Sequence, residues 1–230
     1  MKNILITGVG SGLGYSLAQK YLESGSRVYA IGRECPPILV ANPDFFFFPY
    51  DLKETFLFRA EVSDFIRRHH YDIAILNAGI LGDIQMMGET TLEDIGKVMD
   101  VNVWANKELI DALDIYGSVD QIVAISSGAA INASKGWGAY ALSKNAINML
   151  MQIYAKELPH IHFTALAPGV IETPMVKHIL SEVDREIYPS AQKLADSDIV
   201  TAEQAAARLI SSFEKLLSYE SGSFVDIREM

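Results

Sequence analysis

Short apolar, β-rich runs alternate with longer helical patterns along the whole chain, and this alternation constrains the fold more than any other feature. Strands covered on both faces read as near-continuous apolar segments, and two strands can lie parallel only when a long crossover joins them. Seven runs qualify as strands: Asn3–Thr7, Arg27–Ile31, Phe45–Phe48, Asp72–Leu76, Val119–Ser126, His162–Ala167 and Ser223–Ile227. Helical periodicity marks Gly12–Ser24, Lys53–Arg68, Thr91–Leu113, Trp137–Leu158 and Ala202–Leu217, with a weaker pattern over Thr173–Ser197. The expected architecture is therefore α/β, a doubly wound, mostly parallel seven-stranded sheet with helices on both faces. No repeat or linker divides the 230 residues, so one domain spanning 1–230 is expected. Three local expectations follow. Pro36-Pro37 leaves room for only a short helix between the second and third strands, Phe45–Phe48 reads as a buried strand, and Arg67 to His70 close a helix whose dipole favours cations.

Charge and cysteine usage exclude several partners. Nineteen basic against 29 acidic side chains give a net charge of −10, which repels a phosphate backbone, so no nucleic-acid partner is expected. The single Cys35 has neither a disulfide partner nor a second thiol for a metal, which points to a reducing compartment, the cytoplasm, and to no metal site. The apolar runs are too short to cross a bilayer, and Met1-Lys2-Asn3 leads directly into the first strand with no room for a cleavable signal.

The junction of the first strand and first helix reads Thr7-Gly8-Val9-Gly10-Ser11-Gly12-Leu13-Gly14. Glycines let the backbone turn tightly and approach a pyrophosphate, while the helix start offers unpaired N–H groups and the positive end of a dipole. The spacing Thr-Gly-x-x-x-Gly-x-Gly resembles the short-chain dehydrogenase/reductase family, a Rossmann-fold family. Two further marks sit where that resemblance requires them: Asp51-Leu52 after the third strand and Asn77-Ala78-Gly79 after the fourth. The resemblance implies that Asp51 and Leu52 border an adenine and that Asn77, Ala78 and Gly79 support the sheet beneath a nicotinamide dinucleotide. Asp51 could equally cap a helix starting at Lys53. The second strand ends on Gly32-Arg33, without the acidic side chain that pairs with the ribose of NAD, so NADP(H) is favoured over NAD(H). Ser11 supplies no second basic group, and Glu34 lies close by, so NAD(H) stays open.

Tyr140 and Lys144 lie four residues apart near the start of the fifth helix and therefore share a face. Ser127 precedes Tyr140 by thirteen residues, and Asn102 lies in the preceding helix. Together they resemble the family's Asn-Ser-Tyr-Lys tetrad. A free tyrosine has a pKa of about 10 and needs a close cation to act as an acid–base group near neutrality. By the resemblance, Tyr140 carries the proton, Lys144 grips the nicotinamide ribose, Ser127 holds the substrate oxygen and Asn102 anchors a water that feeds Lys144. Pro168-Gly169-Val170, with Thr173, matches the family's turn that holds the carboxamide.

These positions imply an oxidoreductase interconverting a small carbonyl and an alcohol. The segment at about 173–200, rich in Met175, Ile179, Leu180, Ile187 and Tyr188, would close over substrate as a lid, and Met86, Met87 and Trp137 would form an adaptable apolar wall or simply pack. Relatives pair through the helices bearing Asn102 and Tyr140, which implies a homodimer or homotetramer through Ala141, Ala146, Met149 and Ile153. Two alternatives stand beside this reading. A dinucleotide-binding regulatory protein would show a damaged tetrad, and here all four positions are intact. An epimerase or dehydratase of the extended branch would need a further region after Thr173 to hold a nucleotide-sugar.

Overall fold

The computed structural model describes all residues, 1–230. Seven parallel strands form one sheet: β1 (Asn3–Thr7), β2 (Arg27–Gly32), β3 (Phe45–Pro49), β4 (His70–Leu76), β5 (Ser118–Ile125), β6 (His162–Ala167) and β9 (Ser223–Asp226). Their order across the sheet is β3-β2-β1-β4-β5-β6-β9. The chain winds outward from β1 in one direction and then, from β4, in the other, which opens a crevice at the carboxyl ends of β1 and β4. Successive side chains alternate between two cores. Ile4, Ile6, Ile73, Ile75 and Val123 meet α1 (Gly12–Glu23) and α9 (Ala202–Leu216) on one face. Leu5, Ala74, Leu76 and Ile122 meet α3 (Thr55–Ile66), α5 (Ala105–Tyr116) and α6 (Gly138–Glu157) on the other.

Several boundaries differ from expectation for physical reasons. The link before β3 holds one short helix, α2 (Pro37–Val40), as the paired prolines allow. Phe45–Phe48 is a strand but lies at the sheet edge, so Phe45 is buried whereas Phe46 is 40% exposed and stacks on Tyr29. The basic run does not close α3: the helix stops at Ile66, Arg68 adopts a left-handed conformation (φ 62°), and His70 already belongs to β4. The expected helix over Thr91–Leu113 is α4 (Leu92–Met99) and α5, joined without a break by a π-helical turn at Asp100–Trp104. Between β6 and α9, a two-stranded parallel ribbon of β7 (Val170–Glu172) and β8 (Ile199–Thr201) brackets α7 (Pro174–Glu182) and α8 (Pro189–Ala195). The weak helical pattern there thus resolves into two short helices on a ribbon.

Candidate active site

A cavity of about 830 Å³ follows the carboxyl edge of the sheet and collects most of the sequence-predicted residues on one wall. At its β1 end the glycine loop is held by its neighbours. Thr7 Oγ1 accepts the amides of Asn77 and Ala78 at 3.0 Å each, and the Asn77 Nδ2 group donates to the Thr7 and Gly8 carbonyls at 3.0 Å. These bonds tie the ends of β1 and β4 together. Gly8 (φ 75°) lies so close to Ala78 that a Cβ would fall 2.9 Å from its Cα, and a Cβ on Gly14 would fall 2.1 Å from the Gly8 carbonyl oxygen. Thr7 and Gly14 therefore shape the loop from behind, while Gly8, Gly10, Ser11, Gly12 and Leu13 line the cavity. Ser11 precedes α1 in extended backbone and makes no side-chain cap, leaving the first-turn amides without a side-chain acceptor. That cradle fits a dinucleotide pyrophosphate.

Beyond the loop, Gly32, Arg33, Asp51 and Leu52 line the β2–β3 end, with exposed Arg33 beside Gly32. Asp51 is not the cap of α3, because that helix begins at Thr55; its carboxylate instead accepts the Lys53 amide at 3.1 Å in a turn.

The opposite half of the cavity holds Ser127, Tyr140 and Lys144, with Asn77, Ala78 and Gly79 between the two halves. Ser127 follows β5, and its hydroxyl oxygen accepts the Ala129 amide at 3.1 Å, while its O–H can donate toward the Tyr140 oxygen. Tyr140 packs against the apolar group of Leu81, Trp137, Ile179 and Ala191. Burial pushes its pKa up to about 12, with the Ser127 hydroxyl acting in the opposite direction. Lys144, one helical turn on, is 5% exposed; its Nζ donates to the Ile125 carbonyl at 2.8 Å and stands 5.5 Å from the Tyr140 ring centre. Burial lowers its pKa to about 8. Gly79 lies against both Asn102 and Lys144: a Cβ there would fall 3.3 Å from Asn102 Oδ1 and 3.5 Å from Lys144 Nζ.

Asn102 lies in the π-helical turn, buried and off the cavity wall. Its carboxamide accepts the Ile80 amide at 2.8 Å and donates to the Ile80 carbonyl and Ser143 Oγ at 2.9 Å each, while its own carbonyl accepts Asn106 Nδ2 at 2.8 Å. Both amide hydrogens are thus spent on bracing the loop after Gly79 against α6. Pro168, Gly169, Val170 and Thr173 line the cavity, and the Thr173 hydroxyl also caps α7 by accepting the Val176 amide at 3.3 Å. Of the expected apolar wall, Trp137 is buried against Leu81, Ile179 and Ala191, and neither Met86 nor Met87 reaches the cavity. Met175 and Val176 line it instead. Lys53, Ile80 and Arg228 also line it, in positions that no motif marks.

The family model described as short chain dehydrogenase matches residues 2–184. The chain belongs to the short-chain dehydrogenase family. An uncharacterized oxidoreductase of Schizosaccharomyces pombe is 33% identical over 87% of this chain and 88% of its own length. A benzil reductase ((S)-benzoin forming) of Bacillus subtilis is 27% identical over 100% of this chain and 99% of its own. Among solved structures, a short chain dehydrogenase family protein of Francisella tularensis superposes with a TM-score of 0.83 at 25% identity, covering 99% of this chain and 97% of that one. As a member of this family, the chain is an NAD(P)-dependent dehydrogenase or reductase. No helix is long and apolar enough to cross a membrane.

Proposed function

We propose that the protein is an NADP(H)-dependent oxidoreductase that interconverts a small carbonyl compound and its alcohol, with Tyr140 as general acid and base. The observation that carries this reading is one cavity with a pyrophosphate cradle at Gly8 to Leu13 and, across Asn77 to Gly79, the Ser127, Tyr140 and Lys144 side chains. The glycine loop and the α1 start would hold the dinucleotide, with Asp51 and Leu52 at the adenine and Pro168 to Val170 with Thr173 at the carboxamide. When bound, the dinucleotide supplies or accepts hydride and, once oxidised, a positive charge. In the reductive direction Ser127 turns its O–H from Tyr140 to the substrate oxygen and Tyr140 gives that oxygen its proton as the alkoxide forms. Lys144 supplies the cation that makes the phenolate accessible: burial, even with the Ser127 hydroxyl opposing it, leaves Tyr140 at about 12, too high for a base near neutrality. Asn102 acts at one remove, by holding the strand-to-loop passage after Gly79.

In this reading all 230 residues act as one unit, 173–200 is its lid, and the exposed Met149 and Ile153 on α6 serve self-association. Arg33 favours NADP(H), because a guanidinium can fork onto a 2′-phosphate where a carboxylate would repel it. Benzil reduction by the Bacillus relative suggests aryl carbonyl compounds as first candidates. Titration of cofactor fluorescence with NADPH and NADH, followed by a carbonyl panel read by loss of reduced-cofactor absorbance, tests the reading. Tight NADPH binding with no turnover of any carbonyl would overturn it. Arg33→Asp should move the affinity ratio toward NADH by about tenfold or more. An unmoved ratio removes Arg33 as the phosphate reader.

A further inference from the structure

Ser127 and Tyr140 have to reach one substrate oxygen, yet they stand on different elements: Ser127 at the turn after β5, Tyr140 near the start of α6. Sheet pairing stops short of Ser127. On the β4 side the last paired residue is Ala124, opposite Leu76, and on the β6 side the ladder ends with the Ser126 amide on the Leu166 carbonyl at 2.8 Å. The bonds of Ser127 itself run forward within its own turn, where its carbonyl accepts the Ala130 amide at 3.0 Å and its hydroxyl the Ala129 amide at 3.1 Å. Its place relative to α6 is therefore left to the side chains that α6 extends toward the strand end.

Three such contacts cross the gap. Lys144 Nζ donates to the Ile125 carbonyl at 2.8 Å, the Asn148 carboxamide oxygen accepts the Ser126 hydroxyl at 2.6 Å, and Asn145 Nδ2 donates to the Ala130 carbonyl at 3.0 Å. They are not equivalent. Lys144 is assigned to the reaction above, and its ammonium, with a pKa lowered to about 8, titrates. Asn145 is exposed, so water competes for its bond. Ser126 and Asn148 are 3% and 6% exposed, neither titrates in the working range, and their bond is made by the residue next to Ser127. Parting a buried hydroxyl from a buried carboxamide leaves each without water or partner, so this contact resists displacement. Ser126 lines the cavity, whereas Asn148 lies behind it, one helical turn after Lys144 and on the same face of α6.

We propose that Asn148 is a positioning residue: by holding Ser126, it sets the Ser127 hydroxyl in register with the Tyr140 oxygen. This rests on the carbonyl-oxidoreductase reading above for the step that the register serves. In that step the Ser127 and Tyr140 O–H groups converge on one oxygen, and a misplacement of about 1 Å costs about a hundredfold in rate. The register also exists without substrate, because the Ser127 hydroxyl already acts on Tyr140 and opposes the effect of burial on its pKa.

Asn148→Leu removes the acceptor at similar size, Ser126→Ala removes the donor, and the double variant removes both. The first readout needs no turnover. In protein labelled at tyrosine Cζ, the Tyr140 signal, assigned by its loss in Tyr140→Phe, should shift in Asn148→Leu and in the double variant in the direction that it shifts in Ser127→Ala. The second readout is reduction of a carbonyl compound by NADPH. Asn148→Leu should lower kcat by about ten- to a hundredfold, with KM and the NADPH dissociation constant within about threefold. Each single variant strands a buried polar group and the double variant strands none, so melting temperature should recover in the double variant while kcat stays at the level of Asn148→Leu alone. An unmoved Tyr140 signal, a kcat that recovers together with stability, or a loss confined to NADPH affinity overturns the proposal. A shifted signal in a protein whose parent reduces no carbonyl compound keeps the register and sinks the carbonyl reading; carbonyl reduction with a kcat indifferent to Asn148 does the reverse.

Discussion

The two halves of the cavity are built on different physical principles. The glycine-loop half is backbone held by backbone: Thr7 and Asn77 satisfy groups at the ends of β1 and β4, and missing Cβ atoms set the spacing. The Tyr140 half is made of buried side chains. It contains a desolvated ammonium with a depressed pKa and a tyrosine with a raised one, beside a small apolar cluster of Leu81, Trp137, Ile179 and Ala191. Binding and chemistry should therefore separate on mutation, with rigidity belonging to the first half and energetic cost to the second.

The sharpest way to break that separation is Tyr140→Phe. Turnover should fall by about 10²- to 10⁴-fold while the NADPH dissociation constant stays within a few-fold. Steady-state rates and fluorescence titration on one preparation decide it, and parallel losses would mean that the halves are not independent.

Lys144 tests the energetic cost. Its native pKa of about 8 lies below the value of about 10.4 for an unfolded lysine. Below pH 8 both states are protonated and the full penalty applies. Between these pKa values the unfolded chain binds more protons, so this group's contribution to stability rises with pH. Lys144→Met removes the effect. Its stability relative to the parent should decline by about 3 kcal/mol between pH 7 and pH 10.5. Denaturant melts of both proteins at the two pH values measure this, and a pH-independent difference would mean that Lys144 is not held in a desolvated state.

Gly14→Ala tests the other half. Alanine is the better helix former by about 1 kcal/mol, yet its methyl would press on the Gly8 carbonyl and Asn77 Nδ2. Net destabilisation of about 1–3 kcal/mol is expected, with NADPH affinity falling at least about tenfold. A stabilised variant with unchanged affinity would show that the loop yields easily.

Ile179→Ala should have the smallest global effect. Its side chain is 2% exposed, a burial that in a main core would make truncation cost about 2–5 kcal/mol. In this four-residue cluster opening is local, so the melting temperature should move little while KM for the carbonyl rises several-fold. A fall of many degrees would join the cluster to the main fold.

This contrast also explains what the sequence disclosed. The seven strands and the Thr7–Gly14 loop were legible because the near-continuous apolar runs of doubly covered strands and glycine geometry are local. Ser127, Tyr140 and Lys144 were legible only together, through their spacing and the family likeness. Arg228 carries no motif; it reaches the cavity because β9 is the last strand of the sheet. The exposure of Phe46 depends on edge position, and the seat of Trp137 on its contacts with Leu81, Ile179 and Ala191, neither of which is encoded in residue type. The β7–β8 ribbon joins two three-residue segments far apart in sequence, too short to give a periodic signal.

The π-helical turn at Asp100–Trp104 has a consequence of its own. Such a turn carries one residue more than α-helical pitch accommodates, so α4 and α5 together amount to a single rod with an insertion. Deleting Val103 would restore regular pitch, rotate everything on its amino-terminal side by about 100° and draw it in by about 1.5 Å. Asn102 would swing off Ile80 and Ser143 although no side chain of the tetrad had been changed. A one-residue deletion that alters none of those side chains would thus displace Asn102 by phase alone.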